Sequence, residues 1–190
     1  MSKPVVRSTL LGFLIVLLTV PAAVAAPPDP CTPVSQVTRD QALTAAFLYR
    51  FAQFVDWPGD FDRGSFVIGV FGDDALADRL DRVVEGREID GRRFEVRRLD
   101  SPKGLMTCQI AFLGGGDPCV LPDVLARAAE GHVLTVSRSP GFARRGGIID
   151  LVPSGCTLRL EINAAAAHCA GLRISAQLLK LATLVTADPQ

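Results

Sequence analysis

From Arg39 to Val55 the apolar residues Leu43, Phe47, Phe51, Phe54 and Val55 recur at three- and four-residue intervals. That period predicts an amphipathic helix, and Thr38 is placed to cap its start. Trp57-Pro58-Gly59 ends it, because the residue before a proline is pushed out of helical geometry. Phe66 to Phe71 is a continuous apolar run too short for an independent helix. It is followed by Gly72-Asp73-Asp74 and a helical pattern through Leu76, Leu80, Val83 and Val84, which reads as strand, turn and capped helix. Phe94 to Leu99 alternates apolar and polar positions, as a more exposed edge strand does. Gln109 to Leu113 is solidly apolar and runs into Gly114-Gly115-Gly116. Pro122 to Ala129 then predicts a helix, and His132 to Val136 a fourth strand. Strands alternating with helices imply an α/β fold with a mostly parallel sheet, flanking helices and right-handed crossovers. Beyond a loop at Ser139 to Arg145, the runs Ile148–Val152 and Leu158–Ile162 flank Pro153-Ser154-Gly155 and predict a C-terminal β-hairpin. Two helical segments, Ala164–Ala170 and Ser175–Val185, close the chain, broken by Gly171.

The first 25 residues follow another rule. Lys3 and Arg7 precede an apolar run of eleven residues, Leu10 to Val20, and then small residues up to Ala23-Val24-Ala25. This is the pattern of a cleavable secretory signal peptide. A bilayer-spanning helix needs about 20 apolar residues, so no membrane insertion is expected after processing. Cleavage is expected after Ala25, since a cut one residue later would leave Pro27 at the new N-terminus. Cys31 follows Pro27-Pro28-Asp29-Pro30, a poor context for lipidation. Residues 26–38 read as a Pro-rich leader and 39–187 as a single domain, because removing 25 of the 190 residues leaves 165.

Composition narrows the partners. The 20 basic and 20 acidic residues become 18 and 20 when Lys3 and Arg7 are lost, for a net charge near −2. Nucleic acid is an unattractive partner for such a surface. No His-Glu-x-x-His, Gly-x-Ser-x-Gly or phosphate-binding Gly-rich loop with a following Lys-Ser/Thr occurs. No cofactor or metal is implied. Asp73 and Asp74 after the first strand and Asp117 after the third sit where doubly wound sheets bind ligands, and three acids there suit a hard cation. The competing reading is a helix cap at Asp73 or Asp74 and a turn at Asp117. Gly114-Gly115-Gly116 is either an anion cradle or a flexible turn. His168 reads as an ordinary helix residue, and Trp57 as either a partner anchor or a lid on the helix end. Phe142-Ala143-Arg144-Arg145-Gly146-Gly147 is the segment best suited to binding: a mobile loop whose two arginines offer bidentate donors to a partner's carboxylates beside an aromatic contact.

Several short motifs together carry a resemblance. Phe47-Leu48-Tyr49-Arg50-Phe51 through Trp57-Pro58, the strand from Val67 to Gly72, Cys108-Gln109-Ile110, and Leu134-Thr135-Val136 come first. Gly141-Phe142 with Gly146-Gly147-Ile148-Ile149, Glu161-Ile162-Asn163, and Ile174-Ser175 with Leu178 to Ala182 follow in order. Over about residues 40 to 186 the chain resembles the YfiR family. The resemblance implies a Rossmann-like α/β build in the periplasm, a non-catalytic role, and binding to the periplasmic sensor domain of an inner-membrane diguanylate cyclase. It thereby implies repression of cyclic-di-GMP synthesis and of biofilm formation. A homodimer is compatible with it. Two other readings compete: a periplasmic small-molecule binding protein with its ligand at the strand C-terminal ends, and a hydrolase whose site carries no recognisable motif.

Five cysteines, Cys31, Cys108, Cys119, Cys156 and Cys169, enter an oxidising compartment, where pairing is the default. With strand C-termini taken as the top of the sheet, Cys119 lies at the top, and Cys31, before a descending helix, starts there too. Those two form one candidate disulfide. The hairpin's first arm is expected to descend, which puts Cys156 at the bottom within reach of Cys169. Cys108, where the family often has a cysteine, is left as the unpaired thiol, with Cys108–Cys156 as the rival pairing.

Overall fold

The computed structural model describes residues 33–58, 64–115 and 119–188. The expected signal peptide with its cleavage site, Cys31, Gly116 and Asp117 lie outside the described residues. Helix α1 spans Pro33–Phe54 and buries Ala45, Leu48, Phe51 and Ala52 along one stripe. It starts at Pro33 instead of Arg39, so the end of the leader is helical and Thr38 lies within the helix. Proline is compatible with a first turn because the N–H it lacks has no intrahelical partner there. The chain leaves α1 through a two-residue strand, β1 (Val55–Asp56), that pairs antiparallel with β9 (Arg173–Ile174).

The remaining strands are β2 (Phe66–Phe71), β3 (Glu88–Ile89), β4 (Arg92–Leu99), β5 (Ile110–Leu113), β6 (Leu134–Ser137), β7 (Ile149–Ser154), β8 (Thr157–Ile162) and β10 (Thr183–Leu184). They form one sheet in the order β10-β8-β7-β6-β5-β2-β4-β3. β2 and β4 to β7 run parallel, and β8 turns back against β7. Helices α2 (Asp74–Val84), α3 (Leu121–Glu130), α4 (Ala164–Cys169) and α5 (Ala176–Lys180) complete the chain. The sheet is covered on both faces. Ile68, Val70, Ile110 and Phe112 point into a core shared with α1 and α2, while Val67, Ala111 and Leu113 join Leu105, Val124, Ala128 and Phe142 on the other side. Two-sided burial is why β2 and β5 carry uninterrupted apolar runs. Gly69 is required by this packing, since a Cβ there would come within 2.7 Å of both Cys108 Sγ and Leu99 Cδ1.

The mostly parallel α/β architecture, the half-exposed β4 and the C-terminal hairpin agree with the sequence pattern. Two features differ besides the start of α1. The first arm of the hairpin, β7, is parallel to β6 rather than descending beside it, so the turn at Gly155-Cys156 lies at the top of the sheet. The last helical segment is α5 alone: it stops at Lys180, and Thr183–Leu184 pairs in parallel with Glu161 and Ile162 of β8. The β-branched residues Thr183, Val185 and Thr186 favour this extended course.

Candidate functional site

Parallel strands ordinarily need a crossover of about a dozen residues or more, usually with a helix. Between β6 and β7 only the eleven residues Arg138 to Ile148 are available. The connection succeeds because β7 begins level with the end of β6, with Val136 opposite Ile149 and Ser137 opposite Asp150. One 3-10 turn, Ala143–Arg145, takes the place of a helix. Arg145 N–H donates to Gly141 O at 3.0 Å, Gly147 N–H to Phe142 O at 3.0 Å, and Asn163 Nδ2 to Ala143 O at 3.0 Å. Gly146 adopts φ +97°, which favours glycine. The segment is thus an ordered turn, not the mobile loop its glycines suggest.

Phe142 is not an exposed neighbour of the arginines. Only 1% of it is accessible, its ring lies so close over Gly147 that no Cβ fits there, and it belongs to the second core. The partner-facing role expected of Phe142 therefore fails: the ring fills space beneath the crossover. Arg144 and Arg145 are exposed on the turn. Arg144 Nε lies 3.6 Å from Glu161 Oε2 with the guanidinium side chain 46% exposed, and its carbonyl accepts from Asp188 N–H at 2.8 Å. The C-terminal tail is thereby brought against the turn.

Beneath the turn lies Asp150, a residue that pattern reading passed over. It is fully buried. Its Oδ2 accepts from Phe142 N–H at 3.0 Å, and its Oδ1 has no hydrogen-bond partner among the described residues. Burial pushes the Asp150 carboxyl above the usual carboxylate range; the Phe142 N–H opposes this, and the charge of Glu161 adds to it. The available signal was an acid inside the otherwise apolar run Ile148 to Val152.

The same C-terminal end of β6 also serves a second constellation. Asp73 caps α2, its Oδ1 accepting from Leu76 N–H at 3.0 Å and from Gln41 Nε2 at 3.4 Å. Its Oδ2 meets Arg138 at 2.5 Å, and that guanidinium lies 5.5 Å over the Phe112 ring. Asp73 thus takes the capping role, Asp74 opens the helix, and Gly114 N–H donates to Phe71 O at 2.8 Å to close the gap between β2 and β5. Among the described residues no group of three or more His, Cys, Asp and Glu side chains is placed to hold a metal, and no helix is long and apolar enough to cross a membrane.

Trp57 is half-buried. Its Nε1 donates to Gln109 O at 3.2 Å and its ring meets Phe66 edge-on at 5.2 Å, so it seals the bottom of the sheet. His168 is exposed on α4. Cys156 is in a disulfide, whereas Cys169 is a free thiol, so the Cys156–Cys169 pairing is not formed. The reason is the direction of β7, which lifts Cys156 to the top of the sheet. Cys108 is a buried free thiol, its pKa pushed up by burial, and this excludes Cys108–Cys156 as well. Cys119 is exposed near the start of α3, and the expected Cys31–Cys119 disulfide is not formed either; Cys31 itself is outside the described residues.

A doubly covered, mostly parallel α/β domain with an arginine-bearing turn in place of one crossover helix defines the class. The chain belongs to the YfiR/HmsC-like family, DUF4154, whose model matches residues 41–183. Among curated proteins none matches. A conserved domain protein from Vibrio cholerae O1 biovar El Tor shares the fold at a TM-score of 0.51 and 13% identity, over 76% of this chain and 59% of that one. The ligand-free, open structure of CD0873, a substrate binding protein with adhesive properties from Clostridium difficile, gives 0.49 and 11%, again over 76% and 59%. The chain spans less than two thirds of either structure.

Proposed function

We propose that this protein is a periplasmic, non-catalytic regulator that binds the periplasmic sensor domain of an inner-membrane diguanylate cyclase and lowers cyclic-di-GMP. Family membership across residues 41–183 carries the reading, and the signal-peptide pattern of residues 1–25 supports the compartment. The contact surface in this proposal is the crossover. Arg144 and Arg145 stand side by side on a turn already fixed by main-chain bonds, so presenting two guanidinium groups to a partner's carboxylates costs little ordering entropy. Leu181, 77% exposed, and Leu184, 59% exposed, precede the tail that reaches Arg144, and offer apolar area beside the charge. Phe142 and Trp57 serve the core and the sheet's lower end. The test is genetic: deleting the gene is expected to raise cellular cyclic-di-GMP and surface attachment. Unchanged cyclic-di-GMP, with the protein shown to be expressed in the parent strain, contradicts the proposal.

A further inference from the structure

Asp150 holds the crossover from below with one oxygen; the Gly141 N–H also favours its charge, but no hydrogen bond of ordinary geometry reaches the other oxygen. Its Oδ2 takes the Phe142 N–H, which opens the turn, and its Oδ1 is sealed from solvent. An ionised carboxylate in such a place leaves charge unsolvated, whereas a neutral acid does so far less. Glu161 acts in the same sense as burial, whereas the Phe142 and Gly141 N–H groups and the Arg145 charge favour the ionised form; burial outweighs them. Glu161 lies directly opposite on β8 and on the same face of the hairpin, an arrangement of like charges that is unfavourable. The Arg144 guanidinium sits against Glu161, leaving Arg145 as the cation of the turn whose field reaches Asp150. From β6 the neighbour is Ser137, uncharged, with its hydroxyl committed to Leu113 O at 2.6 Å. Asp188, from the tail, engages the turn through its main chain.

We propose that Asp150 is a proton-controlled latch on the arginine crossover: neutral, it holds the turn as seen; ionised, it draws Arg145 or water to its bare oxygen and loosens the turn. Its bearing on partner binding rests on the reading of the crossover as the contact surface, but the latch itself is a property of this chain alone. The sign of its effect follows from linkage. A carboxyl raised by folding contributes its full stability at pH below the ordinary aspartate range, and that contribution is lost as pH rises through the raised value.

The experiment uses the full mature chain. Carboxyl-carbon NMR of the wild-type protein is expected to show Asp150 titrating above the other aspartates, with Phe142 amide exchange, corrected for intrinsic pH dependence, accelerating above that midpoint. Asp150→Asn, which keeps an acceptor for the Phe142 N–H without charge, is expected to remove the acceleration. It should also melt about 2–4 °C higher than wild type above the midpoint, with the difference vanishing below it. Asp150 titrating in or below the ordinary range overturns the latch, as does Asp150→Asn melting lower than wild type at every pH. Should the variant not fold, the wild-type titration and exchange decide alone. None of these measurements involves a partner, so failure of the latch and failure of the partner reading are distinguishable.

Discussion

Asp73 and Asp150 both accept a main-chain N–H at the C-terminal side of the sheet, yet their second oxygens meet different fates. Asp73 has Arg138 on one oxygen and Leu76 and Gln41 on the other, and Arg138 is further held over Phe112. Asp150 has one oxygen bare, while the two arginines nearest it in sequence are displayed on the surface. The first constellation occupies the sheet's switch point, where ligands bind in folds of this kind, and there its groups are committed to one another. The second lies over a connection too short to build a helix, and its groups retain unmet interactions. Position in the fold is therefore the poorer guide in this molecule; the state of satisfaction of each polar group separates scaffold from candidate contact surface.

Three variants sharpen this contrast, in descending order of expected effect on stability. Phe142→Ala removes the ring that fills the space under the crossover and is expected to cost about 3–5 kcal/mol, measured by urea unfolding. A loss below about 1 kcal/mol would mean that the turn stands without its core. Asp73→Ala removes a helix cap and is expected to cost about 1–2 kcal/mol while leaving partner binding intact. Weakened binding at unchanged stability would assign the switch point a recognition role. Smallest of all, exchanging the exposed Arg144 and Arg145 is expected to change stability by less than about 0.5 kcal/mol.

Much of the fold could be read from apolar periodicity, and the failures have physical causes. β2 and β5 announce themselves because burial on both faces permits no polar residue, and β4, next to the short edge strand β3, because a half-exposed strand alternates in sequence. Strand direction is another matter. The pattern Ile148 to Val152 is the same whether β7 climbs or descends, so apolar periodicity cannot tell at which end of the sheet the hairpin and Cys156 lie. Phe142 looked exposed because its neighbours are glycines and arginines; only Gly147, folded against its ring, shows that the glycine is there to bury the aromatic. The helix start at Pro33 was hidden in a Pro-rich context, and β10 is too short to leave a period. For the site, Arg144 and Arg145 were visible as residues. Their support was not, because Asp150, Glu161 and Asn163 reach the turn only through tertiary contacts.

The central claim is that the crossover binds a membrane-bound cyclase, and co-purification tests it most directly. Tagged mature protein is captured from solubilised inner membranes, wild type beside a variant with Arg144→Gln and Arg145→Glu; glutamine at 144 avoids setting a second acid beside Glu161. The wild-type protein is expected to bring down a diguanylate cyclase, identified by mass spectrometry, and the variant to lose it while retaining the wild-type far-UV spectrum and melting temperature. Equal recovery of the cyclase by both proteins would place the contact elsewhere on the domain, and the absence of any cyclase from the wild-type capture would contradict the account itself.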